Sequence, residues 1–123
     1  MLILLGTNDC KAVFDDRLKE VPKNLEKLIK QVREKTKGES KIFVVTPPPC
    51  GPEQLLKEKY KGSIDRIRFL KKEFEKVAKK TGVEFIDIHS PLEKAFENLT
   101  DDEIHLSEEG QIIIAKIINE RLD

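Results

Sequence analysis

Met1-Leu2-Ile3-Leu4-Leu5-Gly6-Thr7-Asn8-Asp9 opens the chain: a short run of apolar residues that stops abruptly at Gly-Thr-Asn-Asp. A run this short and unbroken, without polar alternation, reads as a strand buried on both faces. Gly6 permits close backbone approach, and Asn8 and Asp9 are residues that favour turns. Open α/β sheets bind their ligands outside the C-terminal ends of the strands. The side chains of Thr7 and Asn8 are therefore expected on the ligand face.

Two further runs have the same character, Lys41–Thr46 (Lys-Ile-Phe-Val-Val-Thr) and Val83–Ile88 (Val-Glu-Phe-Ile-Asp-Ile). The segments between them are helical in period. Leu25, Leu28, Ile29 and Val32 recur on one face, as do Ile67, Leu70, Phe74, Val77 and Ala78, with Lys and Glu opposite. Gly38 and Gly82 stand where these helices should stop. Ser90-Pro91-Leu92-Glu93 predicts a helix start, with Ser90 as cap and Glu93 closing a capping box. A last helix is predicted from near Ser107, with Glu108 and Glu109 in its first turn and Ile113, Ile117 and Ile118 facing a core. Strand alternating with helix is the rhythm of a parallel sheet with crossover helices, here with the three strands adjacent in chain order.

Composition narrows the function. The 123 residues suit one domain, residues 1–123, with a small core. Lys+Arg and Asp+Glu both total 23, so no net field draws nucleic acid or an anionic membrane. The charges are nonetheless segregated, with Lys57–Lys80 mostly basic and Glu84–Asp123 mostly acidic. A single Tyr and scattered Phe argue against base stacking. No glycine-rich phosphate cradle is present. No apolar stretch approaches membrane-spanning length, and no signal peptide is visible. Cys10 and Cys50 lack a metal-ligand spacing. These features predict a cytoplasmic chain with free thiols, no metal and no cofactor.

Near the other end stands Asp102-Glu103-Ile104-His105-Leu106-Ser107, an Asp and a His three residues apart before a helix. This segment and Gly6-Thr7-Asn8-Asp9 resemble the fifth and third sequence blocks of the SGNH (GDSL-type) ester hydrolases. The resemblance runs over essentially the whole chain and includes the strand end Thr46-Pro47-Pro48. It implies a three-layer, flavodoxin-like parallel sheet, of which this chain holds the C-terminal three strands with their flanking helices. It also implies hydrolysis of small acyl or carbohydrate esters. Asn8 and Gly6 would form the oxyanion hole, His105 would be the base, and Asp102 would hold the imidazole. Asp101 is a rival for the last role, but only Asp102 has the three-residue spacing.

The chain departs from the family at its nucleophile. The Gly-Asp-Ser block that precedes the Asn block is absent, so the resemblance implies an N-terminally truncated domain with no nucleophile of its own. None of the four serines replaces it: Ser107 and Ser90 read as helix caps, Ser40 precedes a strand, and Ser63 leads into a helix. Cys10 and Cys50 follow neighbouring strands and read as structural thiols, with a disulfide or a His105-assisted thiol as alternatives. His89 reads as an ordinary loop histidine near the ligand face. Pro47-Pro48-Pro49-Cys50-Gly51-Pro52 reads as a rigid turn able to wall a site. In the family the nucleophile strand lies beside the Asn-block strand. The Leu2–Leu5 edge is therefore expected to pair with a missing N-terminal segment or a second copy. A second class stays open, a non-catalytic binding or assembly module that keeps the old site as a pocket.

Overall fold

Leu2–Leu4 forms β1, Phe43–Val45 β2 and Glu84–Ile86 β3. Together they make a three-stranded parallel sheet of order β1-β2-β3. A computed structural model describes residues 1–122. Register sets Leu2, Ile3 and Leu4 opposite Phe43, Val44 and Val45, and these in turn opposite Glu84, Phe85 and Ile86. The strands are shorter than their apolar runs, but single bonds continue the ladder beyond them. The Phe43 N–H donates to the Met1 carbonyl at 2.8 Å, and the Thr46 N–H donates to the Ile86 carbonyl at 3.0 Å.

One face of the sheet is covered by α1, Glu20–Thr36, and α2, Ser63–Thr81. Ile3 and Val44 meet Leu25 and Ile29 of α1 and Ile67, Leu70, Phe74 and Val77 of α2 in one buried cluster. The predicted apolar stripes are thus the faces that α1 and α2 bury. Gly82 ends α2 in the left-handed conformation, at φ 73°. The end of α1 comes one residue earlier than predicted. Lys37 takes the left-handed cap at φ 55°, and Gly38 follows with its N–H on the Arg33 carbonyl at 2.9 Å.

The opposite face carries α4, Glu108–Leu122. Phe43, Val45, Ile86 and Ile88 pack against its Ile114, Ile117 and Ile118. Ile114 replaces the predicted Ile113 in this contact, because the helix is rotated so that the 114/117/118 stripe faces the sheet. The expected cap is present, with the Ser107 hydroxyl accepting the Gly110 N–H at 3.3 Å. The cover stops short of β1: Leu2 and Leu4 are each 45% exposed although they share a face with Phe43 and Val45.

The short helix α3, His89–Leu92, corrects the capping-box expectation. Asp87 accepts the Ser90 N–H at 3.0 Å and the Ser90 hydroxyl at 2.6 Å. Glu93 pairs instead with Arg68. A carboxylate placed before the turn is the stronger acceptor, and the nearby guanidinium removes Glu93 from the box. No helix among the described residues is long and apolar enough to cross a membrane.

Candidate active site

The first wall of the site grows out of β1. Gly6 adopts φ +120°, and a methyl group there would sit 3.2 Å from Leu70 Cδ1 and 3.4 Å from Pro47 Cγ. Glycine is therefore required twice over, for conformation and for space. Gly6→Ala is expected to lower the unfolding free energy by about 1–3 kcal/mol, read as a shift of the urea midpoint at unchanged slope. The chain then tightens into a single turn. Asp9 N–H donates to the Gly6 carbonyl and Cys10 N–H to the Thr7 carbonyl, both at 3.1 Å. Cys10 is fully buried, while Asn8 stays exposed. No hydrogen bond ties down the Asn8 amide among the described residues.

The second wall is the turn before α4. Asp102 Oδ2 lies 2.7 Å from His105 Nδ1. Asp102 Oδ1 accepts the backbone N–H of His105 at 2.7 Å and that of Ile104 at 3.0 Å. The imidazole bond first, and then the His105 N–H, lower the Asp102 carboxyl from 3.8 to about 2; partial burial opposes them, and Ile104 adds a smaller push. An ionised carboxylate only accepts, so Nδ1 is the ring nitrogen that donates to it; in the neutral imidazole this tautomer leaves Nε2 its lone pair. Because the folded carboxyl is depressed, the pair's contribution is complete above 3.8 and is lost as pH falls through about 2. Asp101 makes no side-chain hydrogen bond among the described residues, so of the two aspartates only Asp102 contacts the imidazole.

Asn8 and His105 line one cavity of about 390 Å³, together with Leu4, Pro48, Ile104 and Leu106. The proline loop thus supplies a wall through Pro48. The site combines an untethered amide donor, an imidazole with a free nitrogen, and apolar surroundings.

The remaining candidates lie elsewhere. Ser63 is buried and donates to the Cys10 carbonyl at 2.8 Å. Ser90 is spent on Asp87 and Ser107 on its helix, while Ser40 is exposed before β2. None of the four bonds to His105 among the described residues. Cys10 and Cys50 are free thiols, each pushed up to about 12 by burial first. Neither thiol bonds to His105 among the described residues, and burial disfavours the thiolate form of both.

His89 is a correction, since it is a core residue only 2% exposed rather than a loop histidine. Burial lowers its pKa, and its Nδ1 has no hydrogen-bond partner. It borders a different cavity, beside Arg68 and Glu93. Among the described residues no group of three or more His, Cys, Asp or Glu is placed to hold a metal ion.

The roles of two threonines escaped the sequence reading. Thr46, fully buried, accepts the N–H groups of Ile88 and His89 at 3.0 and 3.1 Å and so fixes how the chain leaves β3. Thr100 lies at the entrance to the Asp102–His105 turn. The sequence shows Thr46 only as part of the strand end Thr46-Pro47-Pro48, and the signal for Thr100 is no more than a hydroxyl before an acidic turn.

Residues 1–113 match the GDSL-like lipase/acylhydrolase family. No curated protein sequence matches the chain. Among solved structures, the carbohydrate acetylesterase Est24 from Sinorhizobium meliloti is similar over 98% of this chain and 58% of its own, with 26% identity and a TM-score of 0.76. The lipase/acylhydrolase from Enterococcus faecalis aligns over 98% of this chain and 59% of its own, at 22% identity and TM-score 0.80. An inhibitor-bound aryl esterase from M. smegmatis aligns over 98% and 59%, at 24% identity and TM-score 0.70. The chain thus spans somewhat more than half the length of the structures it resembles, and it shares their SGNH hydrolase fold.

Proposed function

The chain belongs to the GDSL-like lipase/acylhydrolase family, and from that premise we propose that it forms the oxyanion and acid–base half of an ester-hydrolysing site. The observation that carries this reading is the shared cavity, with the Asn8 amide and the His105 imidazole on one surface and Asp102 bonded to Nδ1. The nucleophilic hydroxyl comes from a Gly-Asp-Ser segment outside these 123 residues. His105 Nε2 takes the serine proton as Oγ attacks the ester carbonyl. The Asn8 amide, with the backbone that Gly6 allows to approach closely, receives the charge that develops on the carbonyl oxygen. His105 then returns the proton to the departing alcohol, and a water repeats the sequence on the acyl-enzyme. Asp102 keeps the imidazole in the required tautomer throughout.

The substrates we infer are small acyl or carbohydrate esters, in keeping with the names of the similar esterases. The assay is turnover of an aryl acetate by the 123-residue chain. Activity is expected to be feeble and unchanged by Ser107→Ala, since Ser107 caps α4. Robust turnover abolished by Ser107→Ala would overturn the reading, because the helix cap would then be the nucleophile.

The same reading assigns a neighbour to β1. Among the described residues its outer edge is unpaired, and Leu4 and Leu5 are 45% and 53% exposed. A strand edge with apolar side chains recruits another strand, so β1 pairs with the nucleophile-bearing segment or with a second copy. Sedimentation of the chain alone is expected to show concentration-dependent association. A monomer at every concentration would contradict pairing between copies.

A further inference from the structure

Thr100 stands opposite Leu106 in an isolated antiparallel bridge that closes the loop holding Asp102 and His105. Its hydroxyl donates to the His105 carbonyl at 2.7 Å and accepts the Asp102 N–H at 3.3 Å. A single oxygen therefore ties together the backbones of both members of the pair. The Asp102 carboxylate also accepts the His105 and Ile104 N–H groups at 2.7 and 3.0 Å, and further contacts hold the rest of the loop. Gly51 N–H donates to the Glu103 carbonyl at 2.9 Å, and Ser107 N–H to the Leu99 carbonyl at 2.7 Å. Ile104 is buried with Leu56 and Tyr60. None of these engages the His105 carbonyl or the Asp102 N–H.

The turn needs such a tie. Glu103 sits at φ 67°, a left-handed conformation that a residue with a Cβ adopts only when its surroundings impose it. Both side chains of the pair are largely open to solvent, 72% for His105 and 50% for Asp102, so packing does not hold them together. We propose that Thr100 is a positioning residue for Asp102 and His105, its hydroxyl setting the distance between their backbones so that the carboxylate meets Nδ1. The inference rests on the reading of Asp102 and His105 as the acid–base pair, and it extends that machinery by a residue that touches no substrate.

The test is a carboxyl NMR titration of Asp102 in the whole chain, for wild type, Thr100→Val and Thr100→Ser. Valine keeps the shape and removes the hydroxyl; serine keeps the hydroxyl and removes the methyl. The wild-type midpoint is expected at about 2, and Thr100→Val is expected to move it toward 3.8 while the amide signals of the sheet stay in place. Thr100→Ser is expected to stay at the wild-type value. A wild-type midpoint in Thr100→Val overturns the proposal. If the valine variant does not fold, the serine variant decides: a midpoint near 3.8 would assign the effect to the methyl group and overturn it equally. The titration reads the pair whether or not the chain turns over an ester. Aryl acetate hydrolysis indifferent to His105→Ala would remove the proposed function and leave the Thr100 result standing.

Discussion

Phe74→Ala is expected to destabilise the fold by about 3–5 kcal/mol, a large part of the roughly 5–15 kcal/mol that holds a typical domain together. Phe74 is 2% exposed in the middle of α2, where it joins Leu25 and Ile29 of α1 and Ile3 and Val44 of the sheet. Removing the ring deletes its burial and leaves a hole bordered by three elements that cannot all move inward. The sheet has only three strands and α4 covers its other face incompletely, so little else compensates. Urea unfolding followed by far-UV circular dichroism measures the loss. A variant within 1 kcal/mol of wild type, far below the ~3–5 kcal/mol expected for a close-packed Phe, would mean that the α1–α2–sheet core is not close-packed.

Phe74 also illustrates what the sequence made legible. The Ile67–Ala78 stripe and the three apolar runs are strong periodic signals, and periodicity is set by the chain itself. The order β1-β2-β3 follows the chain, because consecutive strands joined by a single crossover helix tend to lie side by side. The Asp102–His105 pairing was legible through the resemblance to the family's fifth block, whose three-residue spacing lets the side chains meet across a turn. Choices between near-equivalent local partners were not. Asp87 rather than Ser90 starts α3, and Ile114 rather than Ile113 faces the sheet. Those outcomes depend on Arg68 taking Glu93 away and on how α4 is rotated, which are tertiary facts. The burial of His89 and the double duty of Thr100 are invisible for the same reason.

The largest functional effect is expected at His105. With the nucleophile supplied, His105→Ala should lower kcat by on the order of 10⁶-fold and Asp102→Asn by on the order of 10⁴-fold, the losses seen when members of such a triad are removed singly. The difference follows from the geometry. In the proposed site His105 Nε2 is, among the described residues lining the cavity, the one group able to accept the serine proton, whereas Asp102 acts on it through Nδ1 at 2.7 Å. Losing Asp102 misdirects the base, and losing His105 removes it. The two losses should not add, because the residues act as one unit.

We propose Asn8, Asp102 and His105 as a half-site that a serine from a Gly-Asp-Ser segment completes. The most direct measurement is the initial rate of aryl acetate hydrolysis as a segment carrying a Gly-Asp-Ser strand is titrated into the chain. Turnover is predicted to rise and saturate with added segment, to vanish when the segment's serine is replaced by alanine, and to vanish again with His105→Ala. A segment that binds the chain without any gain in turnover, or a gain that survives His105→Ala, would contradict the account.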